Sequence, residues 1–126
     1  MTNRPLLLDL FCGAGGAAMG YWRAGFDVVG IDHRPQPNYP FPFAQLEWDD
    51  VDLDGFDVVH ASPPCQGYST VTTRRGGKSS RNIRQQGMYP RLIAAVRGHL
   101  AASGVPFIIE NVEGARSDLR RPVRVC

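Results

Sequence analysis

Three short runs of this sequence hold residue types that can do chemistry. Ser62-Pro63-Pro64-Cys65-Gln66-Gly67-Tyr68-Ser69 places a thiol behind two rigid residues and among polar neighbours. A free thiol has a pKa of about 8.5, so Cys65 as a nucleophile needs a lowered pKa or an electrophile activated by a nearby acid. A lone cysteine is usually a small buried hydrophobe. The prolines and polar neighbours disfavour that reading at Cys65, whereas it is the reading adopted for Cys12 and Cys126. Glu110-Asn111-Val112 supplies a carboxylate directly after Ile108-Ile109. That context predicts partial burial, a raised pKa and a group able to donate a proton. Gly13-Ala14-Gly15-Gly16-Ala17-Ala18 fits G-x-G-x-x-(G/A), and Asp32 follows 19 residues after Gly13. Such glycines let a ligand approach the backbone, the following helix offers N–H groups, and the acid accepts bonds from ribose hydroxyls. The pattern suits a nicotinamide dinucleotide nearly as well as S-adenosylmethionine.

These groups need strands and helices to bring them together. Leu6–Phe11 is a short apolar run before a glycine-rich turn, which predicts a buried parallel strand. Ala17–Ala24 suits a short helix that stops at Gly25, and Phe26–Ile31 is a second buried strand closing at Asp32. Pro35, Pro37, Pro40 and Pro42 forbid regular structure as far as Phe43, after which a weak strand is expected over Phe43–Leu46. Phe56–Ala61 is a further strand, ended by Pro63-Pro64. Residues 70–87 are polar and basic with no apolar period and predict a long loop, a kind that is usually functional or disordered. Met88, Leu92, Val96 and Leu100 recur at i+4, with Ile93 widening the stripe, and predict a helix over 88–103. Val105–Glu110 is the last clear strand, and an irregular basic stretch follows it. Alternating strands and helices imply an α/β domain with a parallel sheet, in which ligands bind beyond the carboxyl ends of the strands. Residues 11–16, 32–33, 62–69 and 110–112 all fall at those ends, so Cys65 and Glu110 can face one cleft.

Composition sets the outer bounds. The 126 residues suffice for one domain with a core of its own. Apolar residues make up 43% and no run reaches 18, which excludes a transmembrane helix. No basic region followed by an apolar stretch opens the chain, so a cytoplasmic, reducing setting is expected. Cys12, Cys65 and Cys126 are too few and too scattered for a disulfide framework or a zinc site. The net charge of +2 hides an asymmetry: residues 1–63 hold three basic and nine acidic side chains, residues 64–126 eleven and three. The second half therefore attracts polyanions and the first repels them.

Asp9-Leu10-Phe11-Cys12-Gly13-Ala14-Gly15-Gly16, then Pro63-Pro64-Cys65-Gln66, then Glu110-Asn111-Val112 stand in this order on the predicted strand ends. Together they resemble the DNA cytosine-5 methyltransferase family over most of residues 6–113. The resemblance implies a doubly wound, mainly parallel α/β sheet, the Rossmann-like fold of S-adenosylmethionine-dependent methyltransferases. It implies transfer of a methyl group from S-adenosyl-L-methionine to carbon 5 of cytosine in double-stranded DNA, through a covalent cysteine adduct, with neither metal nor membrane. Phe11, Gly13, Ala14, Gly15 and Gly16 would line the cofactor, and Asp32 would hold its ribose. Asp50-Val51 would contact the adenine. His33 stands where the family often has a larger aromatic, which weakens stacking. Pro64 would shape the site and Cys65 would be the nucleophile. Glu110 would hydrogen-bond the flipped cytosine, and Asn111 would fix the Pro63–Gln66 loop. Gln66 and Ser69 fall on the substrate side. Arg74, Arg75, Lys78, Arg81 and Arg84 follow on the next loop, where they are expected to grip phosphates as it closes.

The family pattern continues through further strands, an arginine-bearing catalytic element and a target-recognition region. The resemblance therefore implies that residues 1–126 are the N-terminal part of a single catalytic domain. As a fragment or truncated form it would be marginally stable and nearly inactive, with a complementing chain as one source of the missing elements. The Val105–Glu110 strand would then stand as an apolar sheet edge. A tRNA cytosine-5 methyltransferase shares the same active-site residues, and a remnant that binds cofactor or DNA without turnover is a third reading. Amino-group methylation is disfavoured by Cys65 at the place of an aromatic, and a dehydrogenase leaves Cys65 and Glu110 unexplained.

Overall fold

The computed structural model describes residues 3–64, 92–111 and 113–124. Cys65, Gln66, Ser69, Arg74, Arg75, Lys78, Arg81, Arg84 and Cys126 lie outside them, as do Met88 and the expected start of its helix.

Five strands form one sheet: β1 (Leu6–Leu10), β2 (Asp27–Asp32), β3 (Phe43–Gln45), β4 (Val58–Ala61) and β5 (Phe107–Ile109). Their order is β3-β2-β1-β4-β5 and every neighbouring pair is parallel. Helix α1 (Gly16–Arg23) connects β1 to β2, and α2 (Ile93–Ser103) precedes β5.

The apolar runs form strands because both faces of the sheet are covered. Alternation along each strand sends successive side chains to opposite faces. Leu8, Leu10, Ile31, Val59 and Ala61 pack with Val96 and Leu100 of α2. Leu7 and Val28 pack with Ala18 of α1 and with Tyr39. One helix on each face and a strand order that reverses at β1 make this a doubly wound, Rossmann-like sheet.

Element ends depart from the pattern-based expectation for local reasons. The α2 helix begins at Ile93, with Leu92 as its N-cap. Ile93, Val96 and Leu100 are fully buried, so the expected stripe is the buried face. Strand β5 starts at Phe107 and not at Val105, because the Val105 amide is held by Ser103 Oγ and Pro106 has no N–H to give. Strand β4 starts at Val58, two residues later than expected, since Phe56 closes a turn back to the Leu53 carbonyl. Strand β2 starts at Asp27 because the Phe26 amide is bonded to Tyr21 at the end of α1. The stretch after β5, expected to be irregular, includes a 3₁₀ helix over Glu113–Asp118. Ala115 there is fully buried against Ile93. Among the described residues β5 is an edge strand, and Ile108 on it is 48% exposed. No described helix is long and apolar enough to cross a membrane, and no described group of three His, Cys, Asp or Glu side chains could hold a metal.

Candidate active site

The turn after β1 is built from unusual backbone. Phe11 has φ of 57°, Gly13 of 53° and Gly15 of 98°. All three lie in the left-handed region, which a side chain such as that of Phe11 occupies at a cost of about 1–3 kcal/mol. The turn is held by directional bonds. The Cys12 amide donates to the Ile31 carbonyl at 3.1 Å, the Gly15 amide to the Cys12 carbonyl at 3.2 Å, and the Gly13 amide to Asp32 Oδ2 at 3.1 Å. Helix α1 then starts with no side-chain cap and no acid in its first turn. Its leading N–H groups therefore make a site that favours an anion. A Cβ added at Gly13 or at Gly16 would meet nothing within 4 Å, so both positions border open space.

Asp32, at the end of β2, also accepts a bond from the Arg34 amide at 3.0 Å, and His33 Nδ1 lies 3.5 Å from its Oδ1. An ionised carboxylate offers about four lone-pair sites, so it can hold the turn and still accept ribose hydroxyls. His33 itself is exposed. Asp50 is exposed on a turn where its amide bonds the Glu47 carbonyl, while the neighbouring Val51 packs against the α2-side core. The aromatic that meets Phe11 is Trp48, with ring centroids 6.5 Å apart. Trp48 in turn contacts His99 of α2 edge-on at 5.4 Å. Trp48 was not singled out from the sequence, although an aromatic just past the end of β3 falls at the level where the other loops converge.

The other half of the site comes from β4 and β5. Pro63 is buried and Pro64 half-buried directly after β4. Asn111, two residues past β5, donates from Nδ2 to the Pro63 carbonyl at 2.9 Å. That bond ties the segment leading into Cys65 to the strand that carries Glu110. Glu110 itself corrects an expectation: its side chain is exposed, not partly buried. It stands one residue past an edge strand, with its amide bonded to the Ala61 carbonyl and no further described strand beside it. Ile108-Ile109 before it signals a strand, not a burial depth for the residue after it.

Beneath these loops runs a buried polar row that the sequence patterns did not reveal. In strand register Asp9 sits beside Gly30 on one side and His60 on the other. Asp9 is 1% exposed, and burial pushes its carboxyl up to about 6. Tyr39 donates to Asp9 Oδ2 at 3.3 Å. Burial pushes the Tyr39 hydroxyl up as well. His60 Nδ1 lies 2.8 Å from the Tyr21 hydroxyl, and its Nε2 lies 2.8 Å from Ser62 Oγ. Burial lowers the pKa of His60, so the neutral ring is favoured. Cys12 is buried among apolar side chains, and burial pushes its thiol up to about 12, in keeping with a structural role.

A family model described as C-5 cytosine-specific DNA methylase matches residues 6–123. The Type II methyltransferase M.HgiGI of Herpetosiphon aurantiacus is 31% identical over 123 residues, covering 86% of this chain and 91% of that protein. M.HgiDI of the same organism is 28% identical over 123 residues, covering 86% of this chain and 37% of that one. M.XorII of Xanthomonas oryzae pv. oryzae is 31% identical over 131 residues, covering 89% of this chain and 29% of that protein. The chain thus spans about a third of the length of the latter two. Among solved structures, a sugar N-methyltransferase of Streptoalloteichus is 20% identical with a TM-score of 0.46, over 86% of this chain and 41% of that one. The family match runs from the first residue of β1 through the 3₁₀ helix after β5, and with it the chain belongs to the C-5 cytosine-specific DNA methylases.

Proposed function

We propose that this chain carries the cofactor-binding and nucleophile-bearing part of an enzyme that methylates carbon 5 of cytosine in double-stranded DNA. The observation that carries the reading is the bond from Asn111 to the Pro63 carbonyl, which joins the approach to Cys65 to the strand of Glu110. It sits at the same sheet end as the glycine turn and Asp32. S-adenosyl-L-methionine fits that end: the uncapped start of α1 suits its carboxylate, Asp32 its ribose, and Phe11 with Trp48 its adenine. When bound, it supplies an electrophilic methyl group on a sulfonium sulfur.

The chain's own residues prepare the other reactant. Carbon 5 of cytosine is a weak nucleophile until a thiolate adds to carbon 6. In this reading Cys65 makes that bond and Glu110 holds a proton at ring nitrogen 3, which draws the displaced electron pair into the ring. Asn111 fixes the backbone from which Cys65 extends. The target base must leave the stack first, at a cost of a few kcal/mol. Arg74, Arg75, Lys78, Arg81 and Arg84 would hold the phosphates on either side of it. The parts of the reaction outside these residues would come from other polypeptide, in the same chain or a complementing one.

DNA containing 5-fluorocytosine, with S-adenosyl-L-methionine present, tests the reading. Once carbon 5 is methylated it holds fluorine in place of the proton that must leave, and the attacking cysteine stays bonded to the base. The expected result is a denaturant-resistant DNA adduct with the chain, alone or co-expressed with a complementing segment, that disappears in Cys65→Ala. Trapping on tRNA and not on duplex DNA would replace the substrate. Cofactor binding with no adduct on either would reduce the chain to a binding remnant.

A further inference from the structure

The Pro-rich segment between β2 and β3 reads as a connection, yet its tyrosine is one of the most enclosed aromatic residues described. Tyr39 is 9% exposed and belongs to the α1-side core with Leu7, Cys12, Ala18 and Val28. Its ring lies where glycines leave room. A Cβ built on Gly30 would stand 2.3 Å from Tyr39 Cζ and 2.6 Å from its hydroxyl oxygen. A Cβ built on Gly15 would stand 3.1 Å from Tyr39 Cδ2 and 2.9 Å from Pro40 Cδ. No side chain larger than hydrogen fits at Gly30 while Tyr39 holds its place. Gly30 has an ordinary backbone conformation in mid-strand, so close approach by the ring is what its lack of a side chain serves.

The segment is anchored at both ends of this contact. The Gly30 amide donates to the Pro42 carbonyl at 2.9 Å, the Tyr39 amide to the Gln36 carbonyl at 3.1 Å, and the Tyr39 hydroxyl to Asp9. Phe41 and Phe43 pack on the ring, each with centroids 5.9 Å away. Tyr39 thus touches β1 through Asp9, β2 through Gly30, and the glycine turn through Gly15.

We infer that Tyr39 is the positioning residue of the cofactor turn: wedged between Gly30 and Gly15 and tied to Asp9, it holds the turn in the conformation that receives the methyl donor. The inference rests on the proposed function for the identity of that ligand, and on geometry alone for the coupling. Tyr39 does not reach the open side of the turn. It acts through Gly15, whose backbone the ring backs from behind.

Two readouts on the full chain test it, well below its melting temperature. The first is hydrogen exchange of the Gly13 and Gly15 amides without ligand, since both are hydrogen-bonded when the turn is set. The second is calorimetric binding of S-adenosyl-L-methionine. Tyr39→Phe keeps the ring and loses one hydrogen bond, so exchange should rise and affinity fall about threefold. Gly30→Ala drives the ring out, and a misplaced turn should lower affinity by at least about tenfold and expose both amides. Combining Gly30→Ala with Tyr39→Ala should be no worse than Tyr39→Ala alone, because the new methyl then fills vacated space. If Tyr39→Ala does not fold, the Phe and Gly30→Ala variants carry the test. Unchanged amide protection in both, or affinities within twofold of wild type, overturns the inference. If the wild-type chain binds no S-adenosyl-L-methionine, the cofactor assignment fails, and the exchange readout still decides the coupling.

Discussion

Replacing Asp9 with asparagine should stabilise this protein at neutral pH and leave it unchanged in acid. Asp9 is 1% exposed, and its carboxyl stands at about 6 against an ordinary 3.8. Burial is the largest cause, the bond from Tyr39 works the other way, and the Asp32 carboxylate adds a like charge. The group is therefore harder to ionise folded than unfolded. Its favourable contribution is complete below 3.8 and is lost as the pH rises through about 6. Each unit is 1.36 kcal/mol, so ionised Asp9 opposes folding at pH 7 by up to about 3 kcal/mol. Asparagine keeps an acceptor for Tyr39 and carries no charge.

Urea unfolding of both chains at pH 7.5, 6, 5 and 4 gives the difference directly. The variant should be more stable by about 1–3 kcal/mol at pH 7.5, with the gap closing to nearly zero by pH 4. Taking the difference matters because His60, the neighbour in register, runs the opposite way. Its pKa is lowered by burial, so its contribution is lost as the pH falls below 6.5. That term is common to both chains and cancels. The remaining groups facing Asp9 are Tyr39, Tyr21 and Cys12, which stay neutral in this range, and Asp32, which is also common. A difference that does not vary with pH, or an asparagine variant less stable at pH 7.5, would show that Asp9 is better solvated than its burial implies.

Other outcomes follow from the same geometry. With Cys65 and Cys126 replaced by serine, Cys12 should resist iodoacetamide at pH 8 until the protein is unfolded, because its thiol is buried and stands at about 12; mass spectrometry of the labelled chain checks this. Asn111→Ala removes the bond to the Pro63 carbonyl and should lower adduct formation on 5-fluorocytosine DNA while leaving S-adenosyl-L-methionine affinity within about twofold, since that bond lies away from the glycine turn. Leu100→Ala empties a fully buried position between α2 and the sheet and should cost about 2–5 kcal/mol in urea unfolding. Arg74→Gln should reduce the salt slope of DNA binding by about 0.9, read by titration at several salt concentrations.

Much of the fold was legible because local signals and burial agree. Leu6–Leu10 is a leucine run broken only by Asp9, and the sheet is covered on both faces. The Gly13–Gly16 turn needs left-handed backbone, and glycine is the residue that announces it. The strand ends converge as the order of Asp32, Pro63 and Glu110 in the sequence implies. What was not legible is burial of particular polar groups. Glu110 follows two isoleucines and is exposed, because exposure at an edge depends on what lies beside the strand. Tyr39 sits among four prolines, a composition that reads as surface connection, and is buried among Leu7, Cys12, Ala18 and Val28 in room left by Gly15 and Gly30. Trp48 carries no motif, and its contact with Phe11 arises only once β3 lies beside β2.

The two faces of the sheet are built for different ends. The α2 face holds Leu8, Leu10, Ile31, Val59 and Ala61, an unbroken apolar surface. The α1 face carries Asp9, Gly30 and His60 in one row, one residue below the ends of β1 and β4. Apolar residues there would avoid the cost of holding a buried ionisable group, Asp9 above all, against its hydration. They could not, however, make a directional bond. Asp9 holds Tyr39 and through it the back of the glycine turn; His60 bonds Ser62, next to Pro63 and the approach to Cys65. Both loops that face the cleft are thus tethered from beneath by buried polar groups, one of which, Asp9, opposes folding once it is ionised. Replacements that raise stability at positions 9 or 60 while deleting those bonds should therefore loosen the loops above them. The asparagine variant at position 9 keeps its bond to Tyr39 and should escape that penalty, whereas an isosteric leucine, more stable still on burial alone, should not.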